Sequence, residues 1–488
     1  MREKLQRLGA DTAVYGISTI VGRFLNFLLV PFYTNVLIPR DYGIVANVYS
    51  IIALATILYG YGMESAYFKY ASTGEHGNAK ENFSTPFISL FVTSAILSAL
   101  VMICAPAIAG TLGLLQGGGR IVVLSASILF FDTLTVVPFA ALRLERRARL
   151  FAFLKTVNIV VNVASNLILL LVFHAGVEGI FISGCIASGV TVLMLIPTIL
   201  AKLEFHISGD LYKAVLKFGL PYVPAGFASQ MIQVVDRPIL RSLTNDATVG
   251  VYQANYRLGI FMMLIVSMYD YAWRPFFLAT AQEPDAKRIF SRILTYFVLA
   301  GTGIILVLSF FMKEIVAIRF FGRTLIHPDY WSGLPIVPVV LFGYLFLGIY
   351  NNLIAGIYIE KKTQYLPAIT IAGAVVNVGV NYLLIPSMGM MGAAIATLAA
   401  YAVIAGALYV VVQRFYPVTY EWKRIGLILL AGGISFGLWS AVSPPIWEWF
   451  WKVMLLLLFV GILALSGFFN AEESRALMSM LKKRTPRL

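Results

Sequence analysis

The chain has 488 residues, 59% of them hydrophobic and 12% charged, with a net charge of +14 and a mean hydropathy of +0.84. No polar stretch is long enough for a separate water-soluble domain, which excludes the usual multi-domain reading of such a length. A bilayer core takes about 20 apolar residues per helical crossing, and its lack of water admits only helices or closed barrels. The apolar runs here are long and continuous, so the sequence predicts an all-α, polytopic membrane protein with about fourteen transmembrane helices. In chain order the predicted spans are residues 12–37, 42–68, 83–111, 121–142, 150–173, 179–201, 218–240, 248–280, 289–312, 333–358, 365–385, 389–412, 424–442 and 446–468.

Span 1 carries Tyr15, Thr19, Arg23 and Asn26 on one helical face and Pro31 toward its end. Span 2 carries Glu64. Span 4 holds Asp132 and leads into a basic loop with Arg143, Arg146, Arg147 and Arg149. Span 7 repeats the polar stripe with Gln230, Gln233, Arg237 and Arg241, Asp236 adjoins Arg237, and Pro238 follows. Asp236 points about 100° away around the helix, so it is expected to meet another helix rather than Arg237. Span 8 contains Arg257, Asp270 and Arg274, the last two spaced to pair. The connection Lys313–Ser332, rich in aromatics and Arg, reads as a helix lying at the membrane interface.

With the N-terminus inside, most of the 37 Lys and Arg fall in cytoplasmic loops and tails, including Lys482, Lys483 and Arg484. The positive charge then needs no nucleic-acid partner, and both termini are expected in the cytoplasm. Cys104 and Cys185 lie inside apolar segments and indicate no structural disulfide. Met1–Arg7 is basic, but the apolar stretch after it lacks a small-residue cleavage site, so no cleavable signal is read. The four His are scattered without metal-ligand spacing, and no phosphate-binding glycine loop of the NTPase type occurs. No catalytic residue, resident metal or cofactor is expected.

The two halves echo each other. At an offset of 207, Pro31, Gly43 and Tyr49 map to Pro238, Gly250 and Tyr256. Asn162 and Asn166 map to Asn377 and Asn381, and the Gly176/Gly179 pair maps to Gly389/Gly392. Six spans separate the copies, so they share one orientation. This predicts six-helix bundles over 1–203 and 204–413, with two extra helices and a basic tail over 414–488. Repeats of this kind are common in transporters, with the substrate site between them.

Four segments carry a family resemblance: GISTIVGRFLNFLLVPFYTNVLIPRDYGIVANVYS, ALRLERRARLFAFLKTVNIVVNVASN, IVAIRFFGRTLIHPDYWSGLPIVPVVLFGYLF and VNYLLIPSMGMMGAAIATLAAY. In this order the chain resembles Wzx-type oligosaccharide and polysaccharide flippases of the multidrug/oligosaccharidyl-lipid/polysaccharide exporter superfamily. The resemblance implies a V-shaped pair of bundles, alternating access, and transfer of a polyprenyl-pyrophosphate-linked glycan from the inner to the outer leaflet of a bacterial inner membrane. It implies as partners that lipid-linked glycan, membrane lipids and, alongside them, a polysaccharide polymerase and chain-length proteins. Coupling to H⁺ or Na⁺ is one energy source open to it. The alternatives are a cation-coupled multidrug exporter of the same superfamily and a membrane glycan polymerase or glycosyltransferase.

Against that expectation, Arg23, Asn26, Gln230, Gln233, Arg237, Arg257 and Arg274 form the candidate substrate set. Intramembrane charge is costly and faces a cavity or a partner, and guanidinium suits phosphate. Arg23 has a structural alternative, an ion pair with an acid such as Asp132 or snorkelling to the interface. Glu64 and Asp270 are candidate gate acids, or else ordinary interfacial charges. Pro31 and Pro238 are candidate hinges, or static kinks. The paired Asn residues read as helix-holding hydrogen-bonders.

Overall fold

The computed structural model describes residues 27–75, 77–114, 117–205, 208–320, 322–442 and 447–468. They are almost wholly helical. The first half comprises α1 (Phe27–Val36), α2 (Pro39–Gly60), α3 (Met63–Thr73), α4 (Ala79–Ile103), α5 (Ala105–Thr111), α6 (Gly118–Leu144), α7 (Ala148–Leu171) and α8 (Gly176–Lys202). The second begins with α9 (Gly209–Gly219), α10 (Tyr222–Val234), α11 (Asp236–Leu243), α12 (Asp246–Leu258), α13 (Ile260–Thr280) and α14 (Ala286–Ala317). After strands β1 (Arg319–Phe320) and β2 (Arg323–Thr324) come α15 (Val337–Ile359), α16 (Leu366–Met388), α17 (Met390–Phe415), α18 (Trp422–Ala441) and α19 (Glu448–Leu465). Among the described residues eleven helices are long and apolar enough to cross a bilayer, or twelve if α12 and α13 form one broken span.

The difference from fourteen has local causes. Predicted span 1 is described only from Phe27. Predicted span 7 is interrupted: Pro221 precedes α10, and Pro238 sits in the first turn of α11. Proline is tolerated there because a first-turn N–H has no intrahelical acceptor. Val235, between the two helices, keeps helical dihedrals, and the N–H groups of Val235 and Ile239 donate to Met231 O (3.0 Å) and Val235 O (3.3 Å), so the helical ladder is interrupted where Pro238 cannot donate. Pro31 lies inside α1, where Thr34 Oγ1 (3.1 Å) and Asn35 Nδ2 (2.8 Å) both donate to its carbonyl. Predicted span 3 ends at Cys104, after which Pro106 starts the short α5.

The connection after α14 is not the interfacial helix expected. It is an antiparallel hairpin turning through Gly322 (φ +80°), then a 3₁₀ segment, Pro328–Ile336. Tyr330 explains the difference, because it is fully buried instead of lying at an interface. Its hydroxyl donates to Leu37 O (2.9 Å), its carbonyl accepts from Asn255 Nδ2 (2.7 Å), and its ring meets Tyr42 edge-on.

The chain forms two compact units. The first comprises the described residues of Met1–Ile260, Arg319–Ile336 and Gln364–Ile404. One core packs Met63, Tyr67 and Tyr70 of α3 against Phe83 and Phe87 of α4, Phe139 of α6, and Leu211 and Val215 of α9. The α4 start is fixed by a capping box: Asn78 Oδ1 accepts from Lys80 N and Glu81 N, and Glu81 Oε2 accepts from Asn78 N. The two copies of the repeated Asn pair adopt the same bonding. Asn166 Nδ2 donates to Asn162 O (2.8 Å) and Oδ1 (3.1 Å), and Asn381 Nδ2 to Asn377 O (2.8 Å) and Oδ1 (3.0 Å).

The second unit comprises the described residues of Phe261–Ile318, Val337–Thr363 and Ala405–Leu488. Here Leu294, Val298, Leu306 and Phe310 of α14 pack on Ile425, Ile428 and Ala431 of α18 and Leu455, Phe459 and Leu463 of α19. The C-terminal pair is therefore integral to this core. Lys452 of α19, 2% exposed, is shared by Glu314 of α14 and Glu448 (2.8 Å). Both acids are partly exposed, so the cluster lies between an exposed pair, worth about 0–1 kcal/mol, and a buried one, whose breakage costs about 3–5 kcal/mol. Lys452→Met keeps the apolar stem and should lower stability by about 2 kcal/mol on that scale. Thermal unfolding of the detergent-solubilised protein reads this directly, and an unchanged midpoint would show that the cluster contributes nothing.

Candidate functional site

The first unit contains a cavity of about 430 Å³. It lies against the α2–α12 contact, where the two repeat copies touch. Gly43 and Gly250 are the touching residues: a Cβ on Gly43 would stand 1.7 Å from Asp246 O, and one on Gly250 would stand 1.8 Å from Pro39 O. Only glycine permits this approach. Repeat-related positions 207 residues apart thus set how closely α12 lies along α2, and with it one wall of the cavity.

The polar wall comes from six helices. Tyr33 projects from α1, Tyr42 and Tyr49 from α2, Asp132 from α6, Asn158 and Asn162 from α7, Ser188 from α8, and Gln253 and Arg257 from α12. Gln253 and Arg257 are one helical turn apart, so both reach the same space. Arg257 is exposed to it and has no ion-pair partner among the described residues. Across the cavity Ser188 Oγ donates to Asp132 Oδ1 (2.6 Å). Asn158 Nδ2 donates to Thr191 Oγ1 (2.8 Å) and Ala187 O (3.1 Å), and Tyr33 OH donates to Asn166 Oδ1 (3.0 Å).

Arg237 occupies a different environment from Arg257. It is buried, bonded to Asp236 (Nη1–Oδ1, 2.6 Å), and its guanidinium lies 4.2 Å from the Tyr256 ring centre. Asp236 does meet another helix, accepting from Tyr252 OH of α12, but it also pairs with Arg237, contrary to the expectation from helical angle. A long guanidinium can fold back past a 100° separation, which a Cβ-direction argument ignores. Arg237 Nε also donates to Gln253 Oε1 (3.1 Å), so it holds a cavity residue without lining the cavity.

The other predicted residues are placed as follows. Arg23 and Asn26 lie outside the described residues. Gln230 is half-buried and Gln233 exposed on α10, neither against this cavity. Glu64 pairs with Arg143, whose guanidinium stands 5.0 Å from the Phe68 ring. Asp270 pairs with Arg274 (3.1 Å) within the second unit. Asp132, Asn158, Ser188 and Gln253 were not in the predicted set. The available signal was the single carboxylate of predicted span 4, with polar residues on spans 5 and 6 to face it. Among the described residues no group of three or more His, Cys, Asp or Glu is placed to hold a metal ion.

A cavity of this make-up can bind a polar, partly anionic head group, and the fold is that of known membrane transporters. The inward closed conformation of the lipid II flippase MurJ matches with a TM-score of 0.72 at 16% identity, covering 93% of this chain and 98% of that one. An inward-facing multidrug resistance MATE family transporter of the MOP superfamily matches at 0.63 and 16% identity, over 80% and 94%. An outward-facing multidrug resistance MATE family transporter of the MOP superfamily matches at 0.56 and 18% identity, over 84% and 94%. No curated protein sequence matches significantly. The sequence profile described as polysaccharide biosynthesis protein matches residues 8–281, more than half of the chain. This multi-pass membrane protein therefore belongs to the polysaccharide biosynthesis protein family.

Proposed function

We propose that the protein is a flippase that carries a polyprenyl-pyrophosphate-linked oligosaccharide from the inner to the outer leaflet of a bacterial plasma membrane, by alternating access. The observation that carries this reading is Arg257: a cavity-exposed guanidinium with no carboxylate partner among the described residues. Such a cation favours an anionic ligand, and its planar fork matches phosphate oxygens. The family description and the lipid II flippase among the structural neighbours agree with a lipid-linked glycan. Arg23, on predicted span 1, is proposed as a second phosphate ligand. The polymerase and chain-length proteins of a polysaccharide pathway are proposed as functional neighbours, and an H⁺ or Na⁺ gradient as the energy source.

One observation favours the rival reading, cation-coupled multidrug export: Asp132 places a carboxylate in the same cavity. The two readings differ in the sign of the ligand charge. Proteoliposomes holding a polyprenyl-pyrophosphate-linked glycan, challenged with an external pyrophosphatase, report how much head group reaches the outside. Protein-dependent exposure that is lost with Arg257→Ala and Arg23→Ala is the expected result. Ion-driven uptake of a cationic dye, with no exposure of any of several lipid-linked glycans, would transfer the assignment to drug export.

A further inference from the structure

We infer that the cavity face formed by α6, α7 and α8 is a subsite for the hydroxyl groups of a sugar, with Asp132 as its principal acceptor; this rests on the flippase reading and gives its glycan a binding surface. A site for phosphate alone needs donors and no carboxylate, because an acid beside an anion opposes binding. Here the cation and the carboxylate come from different helices: Arg257 and the Gln253 amide stand on α12, and the acid, Asp132, on α6.

The hydrogen-bond inventory of the face formed by α6, α7 and α8 fits hydroxyl groups, each of which both donates and accepts. Ser188 occupies Oδ1 of Asp132, and Oδ2 accepts no hydrogen bond among the described residues, Lys155 acting on the carboxylate through charge alone. The two bonds donated by Asn158 go to Thr191 and Ala187, which leaves Oδ1 as an acceptor toward the cavity. Asn162 is set the opposite way: its Oδ1 is taken by Asn166, and its Nδ2 donates to nothing among the described residues. Two fixed acceptors and one fixed donor therefore line a wall whose own residues hold each side chain in place. Tyr49 adds an aromatic side chain, its ring stacked on Phe181 at 5.1 Å. Tyrosine offers an amphipathic surface suited to the mixed polar and apolar faces of a pyranose.

The test uses two lipids in the same proteoliposomes: polyprenyl pyrophosphate without sugar, and the same lipid bearing a neutral oligosaccharide. External pyrophosphatase reads both. Asp132→Ala should leave the sugar-free lipid within about twofold of wild type and slow the glycan-bearing lipid about tenfold or more, the loss of a charge-assisted hydrogen bond. Asp132→Asn keeps an oxygen acceptor and should fall between. Ser188→Ala, which frees the carboxylate to rotate, serves as a second variant should Asp132→Ala fail to fold, and should slow the glycan-bearing lipid selectively. Equal slowing of both lipids, or no effect on the glycan-bearing one, would overturn the subsite while leaving the flippase reading intact. A wild-type protein that moves neither lipid would overturn both, and is told apart by that control.

Discussion

Gly43→Ala should destabilise the protein by at least the roughly 1–3 kcal/mol typical of overpacking, and Gly43→Val by more. The added Cβ would stand 1.7 Å from Asp246 O and 2.6 Å from its carbonyl carbon. Both are backbone atoms of the facing helix, so no side-chain rotation relieves the clash and α2 must move away from α12. Gly60, at the end of the same helix, has nothing within 4 Å of its Cβ position. Gly60→Ala removes a flexible residue without a clash and should be neutral or stabilising by up to about 1 kcal/mol. Thermal unfolding of the two alanine variants in detergent therefore gives opposite signs. Equal midpoints would mean that the Gly43–Gly250 approach is absent from the protein in solution. On the proposed transport cycle this contact is also what must part when the cavity changes sides. Gly43→Val should then raise the thiol reactivity of a cysteine placed at Val45, which lines the cavity beside it.

The same pair shows what the sequence can and cannot disclose. Matching Gly43 to Gly250 required only an offset, and the repeated Asn pairs followed by the same logic. Hydropathy alone located most of the long helices, since an 18- to 35-residue apolar helix leaves little choice of structure. What hydropathy could not locate were the breaks. Predicted span 7 is divided between α10 and α11, where Asp236 becomes buried with Arg237. The 328–336 segment was misread for a related reason. Aromatics with Arg suit an interface on composition, but Tyr330 is held by bonds to Leu37 and Asn255, about 75 to 293 positions away in the chain, which no local pattern encodes. The site was legible in part. Helical spacing put Arg237 on a polar stripe, and it is buried, but spacing could not tell that it would find a carboxylate, because that depends on how a long side chain folds against its neighbours.

Arg237 and Arg257, which sequence placed in one candidate set, should consequently fail in different ways. Arg237 is 5% exposed and its partner Asp236 1%. Arg237→Ala leaves that carboxylate buried with a Tyr252 hydrogen bond and no cation, a change that typically costs about 3–5 kcal/mol. Arg237→Lys should recover little, because a single ammonium cannot bond Asp236 and Gln253 together while lying over the Tyr256 ring. Arg257→Ala removes a cavity-exposed side chain with no ion pair among the described residues, so its stability cost should stay within about 0.5 kcal/mol. Its transport cost should be large: a lost charged hydrogen bond to substrate is worth about 1.5–3 kcal/mol, or roughly ten- to hundredfold in rate. Unfolding midpoints and leaflet-exposure rates measured on the same preparations separate the two. Any transport lost in Arg237→Ala should recover in step with the folded fraction as temperature is lowered, whereas the loss in Arg257→Ala should persist in fully folded protein. If Arg257→Ala instead unfolds and Arg237→Ala remains stable but inactive, the roles assigned to the two arginines are reversed, and the guanidinium that meets the substrate is the one held over Tyr256.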